Sequence, residues 1–533
     1  MKKVDEAREI LISLGVGESD INKIAALSFL ALCGIKKDDD WNKAKRQSVT
    51  LTKDIIHFVN KEYDQTYKPN TRESFRNEAL RLFLNNHIVD LNPDNPNLPP
   101  QSKNTHYSIT TDVEQVLKHY KTSKWAYVSK SFVENLRIPL INRLQIENYK
   151  SVETIDIELS RFNVLIGANG SGKSNIIEAL AMMSASLAND LDLEGIMNKG
   201  VRLAKPNLTF SSFVGKKTRH EVSINLGFQK NGKDKVIKSK LISTDDNDIY
   251  AKWIDSESGK MDFQGLIDKV LSINDKGLSN KILEVIKDVK SKDNLITNEA
   301  IRDPLVKEKL AEFLIYNLTT QALRGLSTES KKQPLGINGE GLDVLLNNFS
   351  KTEFRLLEEY NTLFDWLDKI KIDKQDELKN AGFKLGKSNS KLYFTDKYML
   401  KKNNLFSAEN ANEGILHVLF YLSLFISKKT PFFFAIDNIE TALNPKLCRF
   451  LVKNLIDLAK KRDKQVIITT HNPAILDGLN LTDNDQRLFE VYRTEDGSTK
   501  TRRIKFKDDL SDKKYKISTM WLNGLLGATP KNF

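Results

Sequence analysis

The hydrophobic rhythm of the chain changes near residue 135. Before that point apolar positions recur at helical spacing over residues 4–14, 19–33 and 50–63. KPNTRESFRNEALRLFLNNHIV, residues 68–89, predicts a further helix, with Asn70 or Thr71 as its cap and Arg72, Arg76 and Arg81 along it. Then VDLNPDNPNLPPQSKNTHYSIT, 89–110, predicts two short strands around a Pro/Asn-rich turn. Three helices, a basic helix and a hairpin follow the order of a winged helix-turn-helix over residues 1–135. Beyond it, the apolar runs RFNVLI (161–166), PFFFAI (431–436) and KQVIITT (464–470) predict buried parallel strands. Residues 231–400 are lysine-rich, with segments such as SNKILEVIKDVK and FRLLEEYNTLFDWLDKI that predict a largely helical insertion. Heptads are not sustained there, so a long coiled coil is not expected. RLFEVYRTEDGSTKTRRIKF, 487–506, predicts a hairpin turning at Asp496-Gly497.

The run IGANGSGKSN, 166–175, places chemistry on this pattern. It fits G-x-x-x-x-G-K-S from Gly167 to Ser174, after a predicted strand and before a predicted helix, which is the context a P-loop needs. Gly167, Gly170 and Gly172 let the backbone turn so that the N–H groups around Asn169, Ser171 and Asn175 form a phosphate nest. Lys173 is expected to reach the β- and γ-phosphates of ATP, and Ser174 to place its hydroxyl on Mg²⁺. The second metal ligand expected is Asp437, at the end of the PFFFAI strand. His471, just past the KQVIITT strand, can sense the γ-phosphate or position water. Lys173 and Asp437 lie far apart in sequence, which predicts an ATPase split by a large insertion.

Composition narrows the class. The chain has 533 residues and 40% hydrophobic residues, enough for several domains. No stretch of 18 uninterrupted apolar residues occurs, so no membrane partner is expected. Two cysteines, Cys33 and Cys448, supply neither a disulfide framework nor a zinc cluster, and suit a cytoplasmic protein. The net charge of +12 fits either nucleic-acid contact or a solvated lysine-rich surface.

LINRLQIENYKSVETIDIELSRFNVLIGANGSGKSNIIEAL (140–180) resembles the N-terminal lobe of ABC-type ATPases of the SMC and OLD branch, and IDNIETALNP followed by VIITTHNPAIL resembles their C-terminal lobe. LGINGEGLDVLLNNF (335–349) is similar to a segment common in OLD-like ATPases. The resemblance implies an α/β fold: a split P-loop head with its N-lobe at 138–230, a helical insertion at 231–400 and its C-lobe at 401–533, plus the N-terminal winged helix. It also implies head-to-tail homodimers or higher oligomers, with ATP between the P-loop of one copy and Asn412, Glu413 and Gly414 of another. The loop Ala442 to Asn444 would lie at that interface. Residues 1–135 resemble the amino-terminal domain of PstI- and BsuBI-type restriction endonucleases, through AREILISLG, ALSFLALCGI and YKPNTRESFR leading to DLNPDNP. The catalytic domain of those enzymes is not matched.

Two departures shape the functional expectation. The family glutamate that activates water is replaced by Asn438, an amide that orients water but takes no proton at neutral pH. Glu440 is the remaining candidate base, and slow turnover is expected. The glutamine loop of the family has no counterpart before Gln229, and that role stays unassigned. In the amino-terminal domain acidic and basic side chains nearly balance, so the winged helix reads either DNA or protein. If it reads DNA, Lys68, Arg72, Arg76 and Lys103 are its candidate contacts. The leading expectation is an ATPase sensor of a prokaryotic antiviral or restriction-like system, with its effector, a nuclease or toxin, on a separate protein. An SMC-like repair ATPase and an ATP-controlled transcription regulator are the alternatives.

Overall fold

A computed structural model describes residues 2–533 except 96–97, 99–101, 103, 137, 231, 258–303, 327–333, 384–387, 506–515 and 527–533. The chain divides into two compact units, 1–138 and 139–533.

In the first unit the helices Lys2–Ser13 and Lys23–Cys33 pair, and the second is almost wholly buried. It begins later than the periodicity alone predicts, because the Asn22 side chain accepts from Ala25 N at 2.8 Å and sets the start. The basic helix runs from Pro69 to Asn85 in short α, 3₁₀ and π stretches. Thr71 stands at the N-cap of the α stretch Arg72–Phe75 but makes no side-chain cap bond, and Asn70 caps nothing. Lys68 is the N-cap of the whole run, without a side-chain cap bond, and Pro69 follows. Proline suits that place because it brings no N–H to satisfy. The strands Val89–Leu91 and His106–Ile109 form the expected wing, joined by a third strand, Val49–Thr50, which pairs with the other side of His106–Ile109. Two helices, Thr111–Leu117 and Trp125–Leu136, complete this winged helix-turn-helix unit.

The second unit is built on a six-stranded sheet. Its strands are β1 (Phe162–Ile166), β2 (Ile315–Tyr316), β3 (Phe433–Ile436), β4 (Gln465–Thr469), β5 (Gln486–Arg493) and β6 (Thr499–Ile504), in the order β2-β3-β4-β1-β5-β6. All neighbours are parallel except the β5–β6 hairpin. β1, β3 and β4 are buried along their whole length, as their mainly apolar runs require, with Asn163 in β1 and Gln465 and Thr469 in β4 as buried polar exceptions. The helices α1 (Lys173–Leu187), α2 (Glu413–Ile426) and α3 (Pro445–Lys461) follow the P-loop, the Asn412–Gly414 segment and the β3 loop. A five-stranded antiparallel sheet holds Ile141–Tyr149 between Val152–Glu158 and Val222–Lys230 and continues through Lys233–Ser243 to Trp253–Asp255.

The described part of 231–400 is not largely helical. It contains the strands Lys233–Ser243, Trp253–Asp255 and Ile315–Tyr316, and Leu367–Ile372 and Leu392–Asp396, which form a three-stranded sheet with Leu405–Ser407 just beyond it. FRLLEEYNTLFDWLDKI stops being α-helix at Glu358 and becomes strand at Leu367, where Ile370 and Ile372 alternate with lysines in a two-residue period. SNKILEVIKDVK lies outside the described residues.

Candidate functional site: a P-loop pocket assembled from both ends of the head

Parallel strands present their C-terminal ends on one side of the sheet, and ligands bind there in open α/β folds. The loops after β1, β3 and β4 and the end of β5 meet at that place. A cavity of about 330 Å³ is lined by Asn169 to Asn175, Arg202, Asn438, His471 and Arg493.

The P-loop glycines are fixed by close approach. A Cβ on Gly167 would lie 2.2 Å from the Val491 carbonyl oxygen. Gly172 has φ +106°, and a Cβ there would lie 2.2 Å from Thr499 Oγ1. That hydroxyl also donates to the Ser171 carbonyl at 2.9 Å and is within 2.7 Å of Ser151 Oγ. The β5–β6 hairpin thus braces the P-loop from outside the motif.

Lys173 is 6% exposed, and its ammonium donates to the carbonyls of Gly167 (2.8 Å) and Ala168 (3.2 Å). Burial lowers its pKa to about 8, against the opposing pull of Asp437 and Glu440. Ser174 Oγ donates to Asp437 Oδ2 at 3.1 Å. Thr469, on β4, donates its hydroxyl to the other oxygen of Asp437 and accepts from Asn438 N at 2.9 Å. A hydroxyl and a carboxylate are the hard oxygen donors Mg²⁺ takes beside phosphates. Ser171 Oγ, buried without a partner, and the glycine cradle fit a phosphate group. Lys173, Ser174 and Asp437 would hold Mg²⁺-ATP here, and the bound ion would neutralise developing charge on the phosphates.

Asn438 sits at φ +53°, a left-handed conformation asparagine tolerates better than most residues. It and His471 face the cavity. Burial, with Lys173 nearby, holds the His471 pKa below its ordinary value. Glu440 does not line the cavity. Its Oε1 accepts from the His471 backbone N–H at 2.8 Å, and its Oε2 is buried without a partner. Asn412 opens α2, accepting from Gly414 N at 2.8 Å, and Gly414 lies against the Ala442 carbonyl. Asn412, Glu413 and Gly414 are outside the pocket of their own chain.

Pattern reading missed Arg202, Arg493, Thr469 and Thr499. Arg202 donates to Glu178 Oε1 at 2.5 Å and to Asn175 Oδ1 at 3.1 Å. The Glu178 hydrogen bond, offset in part by burial, raises the Arg202 pKa. No local motif marks either arginine, whereas Thr469 lies inside the KQVIITT run already singled out. In the first unit Lys68 and Arg72 are exposed, Arg72 lies 3.7 Å from the Glu73 carboxylate that Arg76 pairs with at 2.6 Å, and Lys103 lies outside the described residues.

Fold and site define a P-loop ATPase. Residues 162–477 match the family described as "AAA domain, putative AbiEii toxin, Type IV TA system", and the chain belongs to that family. Residues 1–140 match the BsuBI/PstI restriction endonuclease HTH domain. The chain is 30% identical over 154 residues to the type II restriction enzyme BsuBI of Bacillus subtilis, covering 29% of this chain and 48% of that protein. It is 25% identical over 267 residues to the DNA double-strand break repair Rad50 ATPase of Methanococcus maripaludis, covering 47% of this chain and 24% of that one. An SMC head bound to the C-terminal winged-helix domain of ScpA is 16% identical, with TM-score 0.44, over 70% of this chain and all of that one. The chain thus spans less than half the length of these two curated relatives.

Proposed function

We propose that this chain is an ATP-binding, slowly hydrolysing sensor subunit of a prokaryotic antiviral or restriction-like system. ATP is sandwiched in a head-to-tail dimer, and the effector is a separate protein. The carrying observation is that Lys173, Ser174 and Asn438 line one cavity and that the Asp437 carboxylate accepts from the Ser174 hydroxyl at 3.1 Å. Lys173 and the P-loop amides bind the phosphates, Ser174 and Asp437 hold the metal, and Asn438 with His471 orients water. With an amide at Asn438 where the family carries its glutamate, proton removal is slow and the ATP-bound state is long-lived. Asn412 to Gly414 remain free to close the site of a second copy, since they take no part in their own. The family membership and the restriction-enzyme-like amino terminus support the defence role.

Measuring the mass of the full chain with ATP, with ADP and without nucleotide tests the sandwich. ATP-dependent doubling supports it, and an unchanged mass in ATP overturns it. A second reading, a DNA-repair ATPase, draws on the similarity to the Rad50 ATPase. A neighbouring nuclease-like or toxic gene favours the first reading over the second.

A further inference from the structure

Arg493 stands at the end of β5, at the cavity wall and far in sequence from the P-loop. Its side chain is exposed, and its Nε donates to the Gly170 carbonyl at 3.1 Å. A second guanidinium nitrogen donates to the Gly497 carbonyl. Among the described residues no carboxylate pairs with it. Arg202, which also lines the cavity, differs in kind, because the buried carboxylate of Glu178 already claims it.

A guanidinium has five donors in a rigid fork, and two of them account for the bonds Arg493 makes. Both bonds go to neutral carbonyls. A phosphoryl group is itself charged and accepts the guanidinium fork through two parallel bonds, which a neutral carbonyl does not, so an anion in the cavity outcompetes the carbonyls. The root of the side chain is held. Asp496 in the following turn is tied to Lys216 at 2.7 Å and accepts from the Thr494 and Ser498 hydroxyls. Thr499 holds the Ser171 carbonyl, and the Val491 carbonyl abuts Gly167. Only the end of the arginine has to move.

We propose that Arg493 is a phosphate-contacting residue, supplied by the β5–β6 hairpin to the nucleotide of its own chain. On binding it exchanges the Gly170 carbonyl for phosphoryl oxygens. Because Gly170 has φ +73° and open space around it, releasing its carbonyl leaves the loop unobstructed. The proposal rests on the pocket being a triphosphate site.

The test is equilibrium binding of a fluorescent ATP analogue to the full chain, with Mg²⁺, in wild type, Arg493→Lys and Arg493→Ala. Thermal melting without nucleotide is measured beside it. Losing one charge-assisted pair is expected to weaken binding about tenfold in Arg493→Ala. Arg493→Lys, a point charge without the fork, is expected to fall between, and melting without nucleotide to stay unchanged. Wild-type affinity in Arg493→Ala overturns the proposal. So does a melting loss shared by both variants that parallels the loss of binding, since that marks a brace and not a ligand. If wild type binds no nucleotide, the pocket assignment itself falls, and the role of Arg493 with it.

Discussion

Ser174 and Asp437 are 263 residues apart in sequence, yet the serine hydroxyl donates to the aspartate carboxylate at 3.1 Å. The pairing follows from the sheet order, which places β4 alone between β1 and β3. The loops after β1 and β3 therefore face one another across the end of β4, where Thr469 also reaches Asp437. Asp437→Asn keeps the shape and removes the charge. A bound metal is worth several kcal/mol to phosphoryl transfer, so turnover is expected to fall at least about a hundredfold. ATP affinity should also lose its dependence on Mg²⁺. Phosphate release and nucleotide titration with and without EDTA check both, and unchanged turnover would mean that the metal is held elsewhere.

Asn438 faces the cavity from a left-handed backbone, with its N–H on Thr469 Oγ1 at 2.9 Å. Asn438→Glu restores a carboxylate where water is oriented. General-base catalysis contributes about 10²–10⁴-fold, so turnover is expected to rise by at least tenfold. The left-handed conformation costs a non-glycine residue about 1–2 kcal/mol, a part of which asparagine escapes. A modest drop in melting temperature should accompany the gain. Wild-type turnover already matching that of the variant would contradict slow hydrolysis.

The parts of this site visible in the sequence are those with a local signal. Gly167 to Ser174 is a contiguous motif, and Asp437 and His471 each follow a mainly apolar strand. Arg493 and Thr499 have no such signal, because their proximity to the P-loop comes from β5 and β6 being laid beside β1. Glu440 shows what residue type alone does not tell: its loop turns one carboxylate oxygen onto the His471 backbone N–H. The strand at Leu367–Ile372 was hidden because leucines and lysines around it also fit a helical period. The wing was legible from its turn residues, but its third strand, Val49–Thr50, is only two residues long and leaves no periodicity.

Glu440 is expected to position and not to deprotonate. Its Oε1 holds the His471 N–H, linking the β3 and β4 loops. Glu440→Gln retains a carbonyl acceptor and should keep near-wild-type turnover with an unchanged pH profile. Glu440→Ala leaves that N–H without its partner, at a cost of about 1–3 kcal/mol if it stays buried. A base would give the reverse pattern, with the glutamine variant as inactive as the alanine one.

In the amino-terminal unit, Lys68 and Arg72 are exposed, and Glu73 holds the half-buried Arg76 at 2.6 Å more closely than Arg72 at 3.7 Å. If the unit contacts DNA, Arg72→Ala in the full chain should weaken gel-shift binding, whereas Arg76→Ala should act less. Each phosphate contact removed is expected to lower the slope of log affinity against log salt by about one. DNA binding untouched by Lys68→Ala and Arg72→Ala together would place the contact on another face, or make the unit a protein-docking module.

The last expectation concerns pH. Burial lowers the Lys173 pKa to about 8 in the free protein, and phosphates beside the ammonium raise it again in the complex. Binding therefore takes up a proton once the free lysine begins to lose its own. Below pH 8 the lysine is charged in both states, and affinity through this group is flat. Above pH 8 the free form is increasingly neutral, and ATP affinity should fall by up to about tenfold per pH unit until the pKa of the complex is reached. Isothermal titration in two buffers of different ionisation enthalpy at pH 9 should register the proton uptake. Lys173→Arg, charged throughout, should abolish both the uptake and the slope. A wild-type affinity that is flat from pH 7 to 9.5 would show that the free lysine keeps its proton across that range, and loss of binding in Lys173→Ala would then still test its contact with the phosphates.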